Sequence, residues 1–242
     1  MKYLIANFKQ NGDREFYKNY AQYLRAHFRS NHRCLAIFCV PAPYLHFVRN
    51  NLHGRSVLTG GQTVSQHTSG PFTGCISASM LADFGVYYTI INHSEHHSAS
   101  RKKITEKIVC CKQAGINAIY CIGKDIKKNS EKVDNSWIED AISAIPKDVT
   151  KTDVIIAYEP VFAVGTGKQP TVSEINAVVK AIRKATTEHL GHELPVIYGG
   201  SVTPQNCKQI ADGGVVDGFM VGGACLDPDS LTDIYNILVS SK

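Results

Sequence analysis

The 242-residue chain holds no Cys-x-x-Cys pair, although it carries eight cysteines. Their scatter, with Cys110 and Cys111 adjacent inside a helical pattern, argues against a disulfide framework and for free thiols in a reducing compartment. No apolar run is long enough to span a bilayer. The N-terminus enters an apolar stretch at Tyr3-Leu4-Ile5-Ala6 without a cationic lead or a small-residue cleavage site, so no secretory signal is expected. No Lys/Arg stripe interleaves with aromatics, which excludes the usual nucleic-acid footprint. The short run Lys124-Asp125-Ile126-Lys127-Lys128 reads as a solvated face. Linkers and low-complexity segments are missing too. These absences predict one globular domain over residues 1–242, cytoplasmic, with neither a nucleic-acid nor a membrane partner.

What is present fits that frame. Hydrophobic residues make up 43% of the chain and charged residues 19%, enough for a packed core. The net charge of +5 is mild and suits a small anionic substrate. Apolar runs predict strands over Tyr3–Phe8, Cys34–Val40, Ser56–Gly61, Tyr87–Ile91, Ile116–Ile122, from Val154-Ile155-Ile156 into the stretch that opens at Ala157, Pro195–Tyr198 and Gly218–Val221. Between them, helical spacing predicts helices over Asp13–Phe28, a short one ending at Asn50, Ser77–Leu81, Arg101–Gln113, Ser136–Ala144, Ser173–Glu188, Gln205–Ile210 and Ser230–Val239. Eight β-α units predict a parallel sheet. At about 250 residues they predict a single closed (β/α)8 barrel. A doubly wound open sheet has fewer strands, and no Gly-x-Gly-x-x-Gly follows the first strand.

Barrel closure brings every strand's C-terminal end to one face. That places Asn7, Lys9, His93, Glu95, Glu159, Ser201, Gly222 and Gly223 together although they are far apart in the chain. Period-two alternation puts Asn7 and Lys9 on one face of the first strand. Glu159 stands at a strand end directly before Pro160, which holds it extended. The apolar segment after it carries Gly165 and Gly167 and has the character of a lid over a base. Gly199-Gly200-Ser201 and Gly222-Gly223 leave backbone amides open to a phosphate. His93, with Ser94 as the cap, is expected at a helix N-terminus. There the partial positive charge lowers its pKa, and a neutral ring can donate to a carbonyl oxygen. Together these parts describe proton abstraction next to a carbonyl, with His93 and the Lys9 ammonium stabilising an enediolate.

Five motifs in order then carry a resemblance. Ala-Asn-Phe-Lys at 6–9, His-Ser-Glu at 93–95, Ala-Tyr-Glu-Pro-Val at 157–161 with Gly-Thr-Gly-Lys at 165–168, Tyr-Gly-Gly-Ser-Val at 198–202 and Val-Gly-Gly-Ala at 221–224 resemble those of the triosephosphate isomerases. That family is itself the standard worked case of a Glu base with a neutral His beneath a closing lid. The resemblance covers the whole chain. It implies interconversion of D-glyceraldehyde 3-phosphate and dihydroxyacetone phosphate, without metal or organic cofactor. It implies Glu159 as base, His93 as electrophile, and Lys9 and Asn7 as substrate contacts. Gly165, Ser201, Gly222 and Gly223 would be phosphate contacts. Glu95 would support Lys9, and Cys121 would be a buried cysteine beneath the site. A homodimer is implied through the 62–75 loop, with Thr73 as the tip that reaches the partner.

The sequence departs from the family at several positions. Phe162 stands for a Trp and Lys124 for a Glu, two groups that ordinarily bond in the open lid. Cys75 stands for a Glu, His96 and His97 for two arginines, and Thr63 for an Asn, all tied to the dimer. Two alternatives stay open at this level: a barrel that isomerises another small sugar phosphate, such as a tetrulose phosphate, or a non-catalytic phosphate-binding barrel.

Overall fold

The computed structural model describes residues 1–52, 57–96, 99–123, 135–160 and 170–241. Gly165, Phe162, Lys124 and His97 lie outside the described residues. Eight strands follow one another around a closed parallel barrel. They are β1 (Lys2–Asn7), β2 (Cys34–Cys39), β3 (Val57–Gly61), β4 (Tyr88–Ile91), β5 (Asn117–Ile122), β6 (Val154–Tyr158), β7 (Val196–Tyr198) and β8 (Gly218–Val221). The barrel closes through β1 against β8, with Leu4 beside Phe219 and Ala6 beside Val221. The intervening helices are α1 (Arg14–His27), α2 (Leu45–Leu52), α3 (Ala78–Asp83), α4 (Arg101–Gln113), α5 (Ser136–Ile142), α6 (Val172–Leu190), α7 (Pro204–Gly213) and α8 (Pro228–Ser240). The (β/α)8 barrel expected from the strand-helix alternation is the fold found.

Alternation along each strand divides the core into two layers. Ile5, Ile37, Ile90, Ile119, Ile155 and Ile197 fill the barrel interior with Cys39, Cys121, Ala157 and Met220. Their neighbours Leu4, Ala6, Phe38, Ala118, Ile156 and Val221 face outward, under the helices. Both faces of each strand are therefore buried, as continuous apolar runs such as Val154-Ile155-Ile156 require. Helix starts follow capping chemistry. Asp13 accepts the Phe16 N–H at 2.8 Å ahead of α1. Thr171 and Glu174 close a reciprocal capping box on α6.

Two expectations change in the structure. The first strand stops at Asn7, and Lys9 has a left-handed backbone with φ 51°. Lys9 therefore reaches the barrel mouth by a turn and not by strand alternation. Among the described residues, Ser94 caps no helix. The helix after β4 begins at Arg101, where the Ser100 hydroxyl accepts the Lys103 N–H. His93 thus sits in a short turn, closed by the His96 N–H on the His93 carbonyl at 2.9 Å, and among the described residues no helix starts within that turn.

Candidate active site

A pocket of about 250 Å³ opens where the strands end. Asn7, Lys9, His93, Glu159, Ser201, Gly222 and Gly223 line it together. Seven positions expected from sequence are thus gathered in one cavity from β1, β4, β6, β7 and β8. Glu95 borders the adjoining cleft, which shares Asn7, Lys9 and His93 with the first and extends past Gln62 and His96. Cys121 is buried on β5, and Thr73 is exposed on the 62–75 loop, away from this cavity.

Glu159 is 2% exposed and His93 6%. One carboxylate oxygen of Glu159, Oε2, accepts the Ser94 N–H at 3.1 Å. The other, Oε1, lies 3.0 Å from His93 Nε2. Oε1 is left buried without a hydrogen-bond partner among the described residues. Burial first, then the neighbouring Glu159 charge and a hydrogen bond to that carboxylate, push the Cys121 thiol well above its ordinary pKa. Cys121 is accordingly a neutral wall beneath the carboxylate and no nucleophile.

The His93 ring is oriented from the other side. The Glu95 N–H donates to His93 Nδ1 at 3.2 Å. An Nδ1 that accepts a hydrogen bond carries no proton, so by this inference the ring proton sits on Nε2, facing the pocket. Glu95 Oε2 also lies 3.5 Å from Nδ1. That contact is longer, and the Glu95 carboxylate is engaged elsewhere through Oε1 at 2.7 Å from Lys9 Nζ. The backbone donor therefore decides the tautomer.

Lys9 is held against backbone preference. A left-handed non-glycine residue costs roughly 1–2 kcal/mol. The Lys9 N–H on Asn7 Oδ1 at 3.1 Å, and Gln62 Nε2 donating to the Lys9 carbonyl at 2.8 Å and the Cys39 carbonyl at 3.1 Å, offset that cost. Opposite Lys9, a Cβ at Gly222 would come within 3.2 Å of Lys9 Cε. At Gly223 a Cβ would meet nothing within 4 Å, so that backbone is open to a ligand. Asn206 shapes the β7 loop by donating to the Ser201 carbonyl at 2.8 Å and accepting the Thr203 N–H at 2.9 Å.

Two lining groups lie outside the motifs. Thr203 and Met220 also face the cavity. Thr203 and Asn206 form a Thr-x-x-Asn pair, a capping-type signal that could have been seen in sequence. Met220 left no such signal, because an apolar residue in a buried strand looks the same whether it faces core or pocket.

A comparison of the sequence with known families matches residues 2–238 to the one described as triosephosphate isomerase. Proteins named triosephosphate isomerase are similar along nearly the whole length. That of Halorhodospira halophila is 34% identical over 245 residues, covering 97% of each chain. That of Neurospora crassa is 35% identical over 240 residues, covering 95% of each. That of Brucella abortus is 39% identical over 198 residues, covering 79% of this chain and 78% of its own. Matched from its first strand to its last helix, and closed into the barrel those strands predict, the chain belongs to the triosephosphate isomerase family.

Proposed function

We propose that this chain interconverts D-glyceraldehyde 3-phosphate and dihydroxyacetone phosphate with Glu159 as the base, His93 and Lys9 as the groups that stabilise the enediolate, and Asn7 as a further substrate contact. The aldose–ketose isomerisation is the family's activity and serves glycolysis and gluconeogenesis. The observation that carries the assignment is the buried Glu159, with Oε1 3.0 Å from His93 Nε2, at the head of a glycine-floored pocket.

Glu159 Oε1 takes a proton from the carbon next to the substrate carbonyl. The bond electrons move to the carbonyl oxygen, which gains charge and is met by the Nε2 proton of His93. The Lys9 ammonium faces the same developing charge. The proton then returns from Glu159 to the neighbouring carbon, while the hydroxyl proton on the first carbon passes to the former carbonyl oxygen, so the reaction is redox-neutral and needs no co-reactant. Ser201, Gly222 and Gly223 hold the phosphate, with Gly165 contributing from the segment after β6. Glu95 keeps Lys9 and the His93 tautomer in place, and Cys121 walls the site from below.

The same reading makes the chain a single barrel domain, cytoplasmic and homodimeric. All eight cysteines are free thiols, which suits a reducing compartment. No helix among the described residues is long and apolar enough to cross a membrane. Phe72, Met80, Phe84 and Tyr87 are exposed along the connection from β3 to β4. These exposed apolar side chains on and after the 62–75 loop support pairing with a second copy there, with Thr73 reaching the partner's cleft.

Replacing the base tests the assignment. Glu159→Gln keeps the shape and removes the proton acceptor, so kcat should fall about 10²–10⁴-fold, the usual weight of general base catalysis, with KM little changed. Retention of most of the activity would show that Glu159 is not the base.

A further inference from the structure

His93 faces the pocket although strand alternation assigns that place to its neighbour. Tyr88 and Ile90 point into the barrel, and the next inward position in that series is residue 92. Asn92 instead takes a left-handed backbone, φ 59°, which asparagine tolerates better than most side chains. The turn inverts the alternation and sends His93 inward. The side chain of Asn92 points away from the site, toward the space between α4, β5 and α5.

There its amide makes two bonds. Nδ2 donates to the Cys121 carbonyl and Oδ1 accepts the Ala99 N–H, each at 3.3 Å. In the β4–β5 register Ile91 stands beside Tyr120, so Asn92 arrives beside Cys121. A side chain thus continues the ladder after the backbone has turned out of it. The two bonds bracket the segment that carries the His93 ring, the Ser94 N–H on Glu159 and the Glu95 N–H on His93 Nδ1. The carbonyl at one end belongs to Cys121, the residue whose thiol lies against Glu159.

We propose that Asn92 is a positioning residue for the isomerisation: its left-handed backbone turns His93 into the pocket, and its amide holds the 93–95 turn in register with Glu159. The inference rests on the roles proposed for His93 and Glu159. The two parts separate by substitution. Asn92→Gly keeps the left-handed backbone and deletes both amide bonds. Asn92→Asp keeps the acceptor for Ala99 and loses the donor to Cys121. Asn92→Ala disturbs the backbone as well.

Each variant is assayed for kcat and KM, and the imidazole nitrogens of His93 are followed by ¹⁵N NMR. Asn92→Gly should lower kcat about ten- to a hundredfold, the scale of a small misplacement of a reacting group, with KM nearly constant. The His93 nitrogens should lose the pattern of a ring protonated on Nε2 alone. Asn92→Ala should lose more, and Asn92→Asp less. Wild-type kcat and unchanged nitrogen shifts in Asn92→Gly would overturn the proposal, as would a loss confined to KM. If Asn92→Gly does not fold, Asn92→Asp decides: a reduced kcat with altered His93 shifts supports the role, and wild-type values refute it. A wild-type protein without isomerase activity would refute the functional reading instead, while the His93 shifts in Asn92→Gly would still decide whether the amide sets the ring.

Discussion

Glu159 and Glu95 are two carboxylates in one site with opposite treatment. Glu159 is sunk below the surface with one oxygen unpaired. Glu95 is half exposed and bonded to Lys9. Burial pushes the Glu95 pKa up, but the Lys9 hydrogen bond and charge outweigh it, with His93 and His96 adding to them, and the carboxyl ends below its ordinary 4.5. A group held lower in the fold than in the unfolded chain stabilises above the unfolded value. That contribution is lost as pH falls through the folded value. The stability difference between the native chain and Glu95→Gln should therefore hold from neutrality down to pH of about 4.5 and shrink toward zero below it. Thermal unfolding of both proteins across that range measures it, and a difference indifferent to pH would remove Glu95 from the pair. At this scale the motifs announced the reacting groups, while the turns that aim them stayed hidden. Lys9 and Asn92 are both left-handed, and period-two counting assumes neither. It reaches the right place for Lys9 by the wrong path, and it gives the place of His93 to Asn92.

The strands were legible because each is an apolar run bounded by polar or glycine positions, and β8 begins and ends at the residues expected. Helix ends were less so. The expected starts at Gln205 and Ser230 miss Pro204 and Pro228, which open α7 and α8 at a position where a proline costs no backbone bond. Ser94 resembled a cap in sequence, yet the capping serine is Ser100, because the chain makes a separate turn before α4 begins. α6 shows what a recognisable cap contributes. Thr171 Oγ1 accepts the Glu174 N–H at 3.2 Å, and Glu174 Oε2 accepts the Thr171 N–H at 2.7 Å. Thr171→Ala should cost about 1 kcal/mol, read as a lower urea midpoint at unchanged slope, and Thr171→Ser should restore most of it. A neutral Thr171→Ala would mean that packing of Ile175, Val179 and Ile182 alone holds the helix start.

For the whole molecule, the barrel follows from alternation of strands and helices, but a second copy can be approached only through the surface. Of the eight thiols Cys75 alone is exposed, and it sits at the end of the loop proposed to enter a partner. Concentrated native protein should react slowly with an aromatic disulfide, and dilution should raise the fast phase toward one thiol per chain as the pair separates. Denaturation should release all eight cysteines. One fast thiol at every concentration would place Cys75 outside any interface. The chemistry stands apart from assembly and has its own direct observable. A proton carried by a carboxylate exchanges with solvent while the enediolate lives. Dihydroxyacetone phosphate incubated with the protein in D₂O should therefore gain one deuterium on its hydroxymethyl carbon, the carbon next to the carbonyl that bears no phosphate, and Glu159→Gln should abolish the gain. Isomerisation without deuterium incorporation, or incorporation untouched by Glu159→Gln, would contradict proton transfer through Glu159.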